Sequence, residues 1–438
     1  MSFLIFPDPD FVETSGYASV AHVPFLIGSD GTYLREPNRY LRERALLEWM
    51  PASDERNKFS LPYPTVTTLK NIGDKLKNFL EWCQFRNLDW RDIKYTEHLI
   101  LGYQRDMDKG KWSVSRTALS PRTINQRVSE ATTYLRWAAE RGERPPLYIP
   151  ARDTKRKISS ATQTSSRRFT SRTRGGKAPE RITPLHLPTP EQVGKWLSAV
   201  YSQRGYVKGL CCELIVSTAI RLRECIEWRT DTLPENPADW HVIDDNVQVT
   251  IKYGTKGHKA SPDSIIGPSR PISIPLRMAM KLHEYRAGRR LVQQTRWARS
   301  GGTKEIRDIR RKHPSGSQLF LGEHSNCPFS SRMLRYAWSG APLPFKGWSP
   351  HVGRHYWACT TLLDLLQQRV ASLGKALNDV PGDWLTGTAQ SDLVMVVRPQ
   401  LGHIDPETTL LYLAWLRKSA TVQYTALSYV DFLEDGCG

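Results

Sequence analysis

The sequence lacks the cysteine patterns of a disulfide scaffold or a zinc module. Its seven cysteines are scattered along the chain and include no Cys-x-x-Cys pair. Secreted frameworks and structural zinc sites both place cysteines at short, recurrent spacings. The sequence therefore predicts no metal site, and we expect the protein in a reducing cytoplasm.

Long apolar runs and a cationic start are also missing. The chain opens Met-Ser-Phe-Leu-Ile-Phe-Pro-Asp-Pro-Asp, an apolar run too short for a signal peptide, and no later segment approaches the length of a membrane span. We therefore expect no membrane partner.

Acidic residues are few, with 44 Asp and Glu against 62 Lys and Arg, for a net charge of +18. Such an excess favours a polyanionic partner, although charge alone fits DNA, RNA, a ribosome or an acidic membrane surface. A hydrophobic content of 39% with 14 Trp is typical of a packed globular protein. At 438 residues the chain predicts two or three domains.

Two segments in the first part of the chain have strong helical signals. Apolar residues recur every three or four positions from Thr67 to Phe85 and again from Pro121 to Arg141. Ser120 can cap the second helix, and Gly142 follows its end. These helices predict a small helical domain.

We place this helical domain at residues 55–148, after an N-terminal segment, 1–54, to which the sequence assigns no role. Within that segment Tyr40–Trp49 is predicted as one short helix. Residues 149–184 are rich in Lys, Arg, Ser, Thr and Gly and are predicted as a linker without a core. The linker could follow DNA phosphates or be merely solvated.

The second domain is predicted at residues 185–438, because Thr189-Pro190-Glu191-Gln192 has the spacing of a capping box. Its predicted elements are a helix with its exit turn at Gly209–Trp228 and two strands at Val247–Tyr253 and Pro271–Pro275. Segments 286–315 and 368–397 are predicted insertions.

Three motifs in this domain carry the chemistry. They are Thr-Ala-Ile-Arg-x-x-Glu at Thr218–Glu224, His-x-x-Arg at His351–Arg354, and Leu-Gly-His at Leu401–His403 with Tyr412 nine residues beyond the histidine. In this order they resemble the active-site motifs of the tyrosine recombinases, the phage-integrase family. The resemblance covers about 55–430.

The resemblance implies a mainly α fold with a small antiparallel β-sheet: a helical, SAM-like core-binding domain plus an α+β catalytic domain. It implies a site-specific recombinase that mobilises a genetic element in a prokaryotic cytoplasm, near the nucleoid. The expected partner is double-stranded DNA at specific sites, bound by a homo-tetramer, with accessory proteins possible. No metal or other cofactor is implied.

The residue types fit metal-free phosphodiester transfer. Arg221 and Arg354 could each donate two hydrogen bonds to a phosphate, and His351 could exchange a proton near neutral pH. The resemblance further implies that Tyr412 is the nucleophile, forming a 3′-phosphotyrosyl bond, and that His403 donates to the phosphate.

Two further roles depend on position. Glu224, three residues after Arg221, is expected to orient that guanidinium, although an ordinary helical ion pair would have the same spacing. The resemblance assigns protonation of the leaving 5′ oxygen to Lys256, on the turn between the strands, with Lys252 and Lys259 as competitors. The predicted DNA-contacting residues are Arg122, Arg127, Lys155, Arg156, Lys157, Arg167, Arg168 and Lys259.

Several alternatives stay open. His351 and His355 have the spacing of some zinc ligands, but the sequence offers no third ligand. The chain could bind DNA without cutting it, or relax DNA as type IB topoisomerases do. The segment after Tyr412 could pack on its own domain or on a neighbouring subunit.

Overall fold

The computed structural model describes residues 2–17, 20–51, 63–157, 168–180, 185–257, 266–312, 317–323, 327–376, 379–402 and 411–416. They form two compact units, one up to residue 182 and one from residue 183 onward. None of the described helices is long and apolar enough to cross a membrane.

The first unit is mainly helical. Its elements are β1 (Phe3–Ile5), α1 (Pro9–Ser15), β2 (Phe25–Ile27), α2 (Arg35–Ala45), α3 (Val66–Phe85), a π-helical stretch (Tyr95–Gln104) continuing into α4 (Arg105–Asp108), α5 (Pro121–Glu140), β3 (Ala151–Lys157) and β4 (Arg168–Arg174). The predicted helices at Thr67–Phe85 and Pro121–Arg141 are confirmed as α3 and α5.

Capping explains where these two helices begin. The hydroxyl of Thr65 accepts from the backbone N–H of Thr68 at the start of α3, and Ser120 does the same for Thr123 in α5. The apolar faces of the helices meet in one core. That core includes Leu69, Leu76 and Phe79 from α3 and Val128 and Leu135 from α5, all at least nine-tenths buried.

The N-terminal segment differs from its prediction. Its helix is α2, which begins at Arg35 rather than Tyr40 and ends at Ala45, because Leu47 adopts a left-handed backbone (φ 59°). The apolar stretch up to Trp49 is therefore not all helix, although the side chain of Trp49 is buried in the same core as α3 and α5. The helical unit thus includes residues that the sequence left unassigned.

The predicted linker contains the antiparallel strands β3 and β4. Polar groups hold its described end: Tyr95 Oη donates to the carbonyl of Gly175 (2.7 Å), and the N–H of Ala178 donates to Asn125 Oδ1 (2.9 Å). These hydrogen bonds, with Ala178 packed against the core of the first unit, attach the described end of the segment to that unit.

The second unit has more helices and a three-stranded antiparallel sheet of order β5-β6-β7. The sheet is β5 (Val242–Ile243), β6 (Asn246–Tyr253) and β7 (Ile266–Pro275), and the helices are α6 (Pro190–Arg204), α7 (Tyr206–Thr218), α8 (Leu222–Ile226), α9 (Leu276–Ala287), α10 (Arg289–Arg299), α11 (Lys304–Lys312), α12 (Ser331–Ser339), α13 (Pro350–Ser372), α14 (Gly382–Asp392), a π-helical stretch (Leu393–Val397) and α15 (Arg398–Leu401). Residues 411–416 are also helical. The predicted mainly α fold with a small antiparallel sheet is confirmed.

Helix α7 is the centre of this unit. It packs against α6, α12, α13 and the sheet strand β7, and its side chains Leu210, Leu214 and Ile215 are fully buried. Of the predicted insertions, 286–315 holds α10 and α11, while 368–397 holds the end of α13, α14 and the π-helical stretch. The central position of α7 fixes its C-terminal end, where the first motif begins.

Candidate active site

The first motif is placed by the end of α7. Ala219 adopts a left-handed backbone (φ 55°), which turns the chain out of the helix. Arg221 is then the N-cap of α8 rather than a helical residue: its backbone N–H and its Nη1 donate to the two carboxylate oxygens of Glu224, each at 2.7 Å. The predicted Arg221–Glu224 contact is therefore a capping interaction.

Glu224 is completely buried and binds two arginines. The second is Arg270 of β7, whose Nη2 donates to Glu224 Oε2 at 2.7 Å. Burial alone would raise the pKa of Glu224, but Arg270, Arg221 and the backbone N–H of Arg221 outweigh it, and the pKa lies below its ordinary value. The carboxylate is therefore ionised and fixes both guanidinium groups.

Three consecutive carbonyls at the end of α15 each accept from a different arginine. Arg270 donates to Gln400 O, Arg354 donates to Leu401 O, and Arg221 donates to Gly402 O at 3.1 Å. The last carbonyls of a helix have no partners within it and carry partial negative charge. The end of α15 thus gathers guanidinium groups from α13, β7 and the start of α8.

Gln400 fixes this helix end to the sheet and to α7. Its side-chain N–H groups donate to the carbonyls of Thr218 (2.8 Å) and Ser273 (2.9 Å), and its Oε1 accepts from the N–H of Ser273 (2.8 Å). Gly402 follows with a left-handed backbone (φ 58°). A Cβ there would lie 2.7 Å from Arg270 Cδ. Both the left-handed backbone and this lack of space favour glycine at the position.

Arg354 comes from α13, whose predicted start after Ser349-Pro350 is confirmed. Ser349 caps the helix, and Arg354 is buried, donating to the carbonyl of Ala219 at 2.5 Å. Trp338 occupies the space beside Gly353, where a Cβ would lie 2.8 Å from the indole ring. Burial and the neighbouring arginines lower the pKa of Arg354 to about 9.

Tyr412 lies against the same helix. Its side chain is fully buried, and its Oη is 2.9 Å from Nδ1 of His355; Nε2 of His355 is in turn 3.2 Å from Nε2 of the exposed His351. Burial raises the pKa of Tyr412. Burial, His351 and Arg354 lower the pKa of His355 to about 4, so its imidazole is neutral near pH 7.

Lys256 lies on the turn after β6, as predicted, and its side chain is exposed. The turn itself is held near the arginines: Gly254 (φ 68°) packs against the backbone of Arg223 and Glu224, and Thr255 is buried. The turn of Lys256 therefore borders the start of α8, while no described contact fixes the ammonium group.

The remaining predicted residues fall into three groups. His403, Arg167 and Lys259 lie outside the described residues, and Lys155, Arg156, Lys157 and Arg168 lie in strands β3 and β4, where only the backbone is described. Arg122 is exposed on α5, and Arg127 of the same helix is half-buried, with Nη1 3.9 Å from Met107 Sδ. Both belong to the first unit.

The structure thus brings together Arg221, Glu224, His351, Arg354 and Tyr412. It adds three residues to which the sequence assigned no role at this cluster: Arg270, Gln400 and His355. Only His355 had a signal, its spacing from His351, but that spacing was weighed for zinc. Among the described residues, no group of three His, Cys, Asp or Glu could hold a metal ion.

Solved structures of other proteins resemble this chain over most of its length. A XerA recombinase matches at 15% identity and a TM-score of 0.32, covering 88% of this chain and 98% of its own. A lambda integrase dimer bound to a COC′ core site matches at 14% identity and a TM-score of 0.40, covering 79% of this chain and 88% of its own. The Tn1549 transposon integrase, in complex with circular intermediate DNA, matches at 15% identity and a TM-score of 0.40, covering 82% of this chain and 92% of its own.

No protein-family model and no curated relative matches the sequence. The three matched structures are of a recombinase and two integrases, which this chain resembles at low sequence identity. At such identities and scores the roles of individual residues depend on the geometry of this chain.

Proposed function

We propose that this protein is a site-specific DNA recombinase that cuts and rejoins strands through a 3′-phosphotyrosyl intermediate on Tyr412. One observation carries the proposal. Arg221 and Arg354, far apart in the sequence, are held on adjacent carbonyls, while Tyr412 contacts His355, the residue after Arg354. Nucleophile and anion-binding groups therefore meet in one cluster.

The charge of the cluster suits a phosphodiester. The carboxylate of Glu224 pairs with Arg221 and Arg270, while Arg354 donates only to backbone carbonyls in the described contacts, so three guanidinium groups stand against one carboxylate and positive charge is in excess. The carbonyls of residues 400–402 balance it only with partial charges. A DNA phosphate could replace these carbonyls on Arg221 and Arg354 and accept bidentate hydrogen bonds.

The proposed reaction needs no external energy. The Tyr412 phenolate oxygen attacks phosphorus, the bond from phosphorus to the 5′ oxygen breaks, and that oxygen takes a proton from Lys256. Arg221, Arg354 and His403 hold the nonbridging oxygens, and His351 exchanges protons. Because the phosphotyrosyl diester replaces a phosphodiester, attack by another 5′ hydroxyl restores DNA without ATP.

The partner in this proposal is double-stranded DNA, with a homo-tetramer as the working form and a mobile element as the target. The exposed Arg122, the half-buried Arg127 and the basic strands β3 and β4 would follow the backbone, where each neutralised phosphate releases counterions.

The test is recovery of covalent protein–DNA adducts after denaturation, from cells that carry the native locus. Wild type should give adducts at particular junctions, Tyr412→Phe should give none, and Tyr424→Phe, which removes a tyrosine without the nine-residue spacing to His403, should leave them unchanged. All three proteins should bind DNA equally. Wild type that binds DNA without forming adducts would contradict the proposal and favour a non-cutting DNA-binding protein.

A topoisomerase of type IB would also form adducts. It would relax a supercoiled plasmid of any sequence, whereas the proposed recombinase joins only DNA that carries the mapped junctions. Exchange between two junction-bearing plasmids, together with no relaxation of a plasmid lacking them, would decide for the recombinase.

A further inference from the structure

We propose that His355 is a catalytic residue that carries the phenolic proton of Tyr412 to His351 when the DNA phosphate arrives. This inference rests on the proposed function and adds to it a group that touches the reacting oxygen. It explains how a fully buried tyrosine can become a nucleophile.

The problem begins with the burial of Tyr412. With its side chain fully buried, this phenol has a raised pKa and would not ionise near neutral pH. Water cannot carry its proton away directly. The side chain of His355 makes a hydrogen bond with the phenolic oxygen, at 2.9 Å.

The geometry gives the proton a direction. A neutral imidazole has one donor and one acceptor nitrogen, so a His355 that accepts from Tyr412 at Nδ1 donates from Nε2. That Nε2 is 3.2 Å from Nε2 of His351, and the two rings lie with centroids 4.4 Å apart. His351 is exposed at the start of α13, so the chain runs from the buried phenol to solvent.

His355 suits a carrier better than a final acceptor. Burial, His351 and Arg354 lower its pKa to about 4, so a lasting charge on this ring is unfavourable. The charged or titratable described groups that act on this chain are His351, Arg354 and Cys359 of α13, and Arg221 at α8. Arg354 opposes an imidazolium at His355, whereas Arg354 and Arg221 both favour a phenolate at Tyr412.

Each proton in the step is accounted for. The O–H bond of Tyr412 breaks as an N–H bond forms at Nδ1 of His355, while the proton on Nε2 of His355 moves to Nε2 of His351. His355 stays neutral with its tautomer reversed, Tyr412 becomes a phenolate, and His351 becomes an imidazolium. An arriving phosphate stabilises that imidazolium, so it couples nucleophile formation to substrate.

The attack itself requires the 411–416 segment to present the phenolic oxygen to phosphorus, because Tyr412 is fully buried in this structure. After transfer, Nδ1 of His355 is a donor and can hold the phenolate until then. The reverse transfer reprotonates Tyr412 when the DNA is rejoined.

The experiment measures the single-turnover rate of adduct formation between about pH 5 and pH 9. The substrate is a pool of nicked duplexes of randomised sequence. Cleavage near the nick releases a short strand that carries the 5′ hydroxyl. Because this strand diffuses away, the reverse reaction is prevented and the adduct accumulates. The variant is His355→Asn, because the amide can reach the position of Nδ1 and contact Tyr412 but cannot pass a proton on. The control is His241→Asn, an exposed histidine outside the cluster.

We expect His355→Asn to slow adduct formation by about 10²- to 10⁴-fold, the usual range for a lost acid–base group. Its rate should keep rising with pH, because hydroxide must remove the proton, whereas the wild-type rate should level off, because the two histidines remove the proton without hydroxide. Replacing Tyr412 with difluorotyrosine, a more acidic phenol, should raise the rate of adduct formation in the His355→Asn variant by at least about tenfold and should change the wild-type rate little.

Three outcomes would overturn the proton transfer. A His355→Asn rate within about threefold of wild type with the same pH profile means that His355 carries no proton. A slow variant that keeps the wild-type profile and is not rescued by difluorotyrosine means that His355 has only a structural role. If the wild-type protein forms no adduct on any duplex, both the proposed function and the proton transfer through His355 are contradicted.

If His355→Asn fails to fold, nitrogen-15 NMR of wild type decides. The inference requires Nε2 of His355 to carry the proton near neutral pH and Nδ1 to lack it. A proton on Nδ1 would overturn the stated direction.

Discussion

The two halves of the candidate site are built by opposite means. The arginine half holds three guanidinium groups with one buried carboxylate, Glu224, and three backbone carbonyls. The other half, Tyr412 with His355 and His351, is a chain of hydrogen bonds whose two inner members, Tyr412 and His355, are buried and uncharged near pH 7. The arginine half is charged before any substrate binds, whereas in the proposed mechanism the other half becomes charged only afterwards.

This difference separates stability from chemistry. A buried charge that loses its partner is costly, so the arginine half should respond to mutation mainly through folding. Mutation in the hydrogen-bonded chain leaves no unpaired buried charge, so it should change mainly the reaction rate and its dependence on pH. The predictions below test that separation.

Glu224→Gln should have the largest effect on stability. The amide removes the charge that two arginines share, and we expect the free energy of unfolding to fall by about 3–5 kcal/mol, as for other broken buried ion pairs. Urea unfolding of the whole chain measures this. Glu97→Gln, which removes an exposed carboxylate 3.2 Å from Lys94, is the control and should cost less than about 1 kcal/mol. Equal effects of the two variants would contradict the ionised state of Glu224.

The pH dependence of stability probes the neutral half. Unfolded histidine has a pKa near 6.5, while His355 in the folded protein titrates at about 4. As pH falls between these values the unfolded state binds the extra proton, so the free energy of unfolding decreases. The loss should reach about 2–3 kcal/mol by about pH 4.5.

In His355→Asn that part of the pH dependence should disappear, while stability near neutral pH changes less. The interval above about pH 4.5 separates this loss from that of Glu224, whose lowered pKa matters only in more acid solution. Parallel curves for wild type and variant would show that His355 is not buried in its neutral form.

Gln400→Leu tests the link between helix α15 and the sheet. The variant leaves two backbone carbonyls and one N–H without their side-chain partner, and we expect a loss of about 2 kcal/mol. Adduct formation should fall as well, because the carbonyls that orient Arg221 and Arg354 would move. Gln390→Leu on α14 is a matched control. Unchanged adduct formation would mean that Gln400 serves folding alone.

Arg122→Ala should have the smallest effect. An exposed arginine of α5 that contacts one phosphate should lower DNA affinity by roughly threefold to tenfold and reduce the slope of log affinity against log salt by about 0.9. Lys94→Ala, an exposed cation elsewhere in the first unit, should leave both unchanged. An unchanged slope in Arg122→Ala would remove that residue from the DNA interface.

Local patterns predicted the helices and part of the site. The starts of α5 and α13 follow from Ser120 and Ser349 before proline, and the spacing of Arg221 and Glu224 predicted their contact, although it forms at an N-cap rather than along a helix. Arg270 and Gln400 could not be predicted, because their partners are not neighbours in the sequence: Arg270 contacts Glu224 and Gln400, and Gln400 contacts Thr218 and Ser273. Backbone carbonyls, which accept from the arginines, carry no sequence signal at all.

The most direct measurement is mass spectrometry of the DNA-linked peptide from wild-type adducts. After digestion with nuclease and protease, a single peptide should carry the nucleotide, on the oxygen of Tyr412. A nucleotide on any other residue, or junctions cut without a covalent adduct, would contradict the assignment of Tyr412 as the nucleophile.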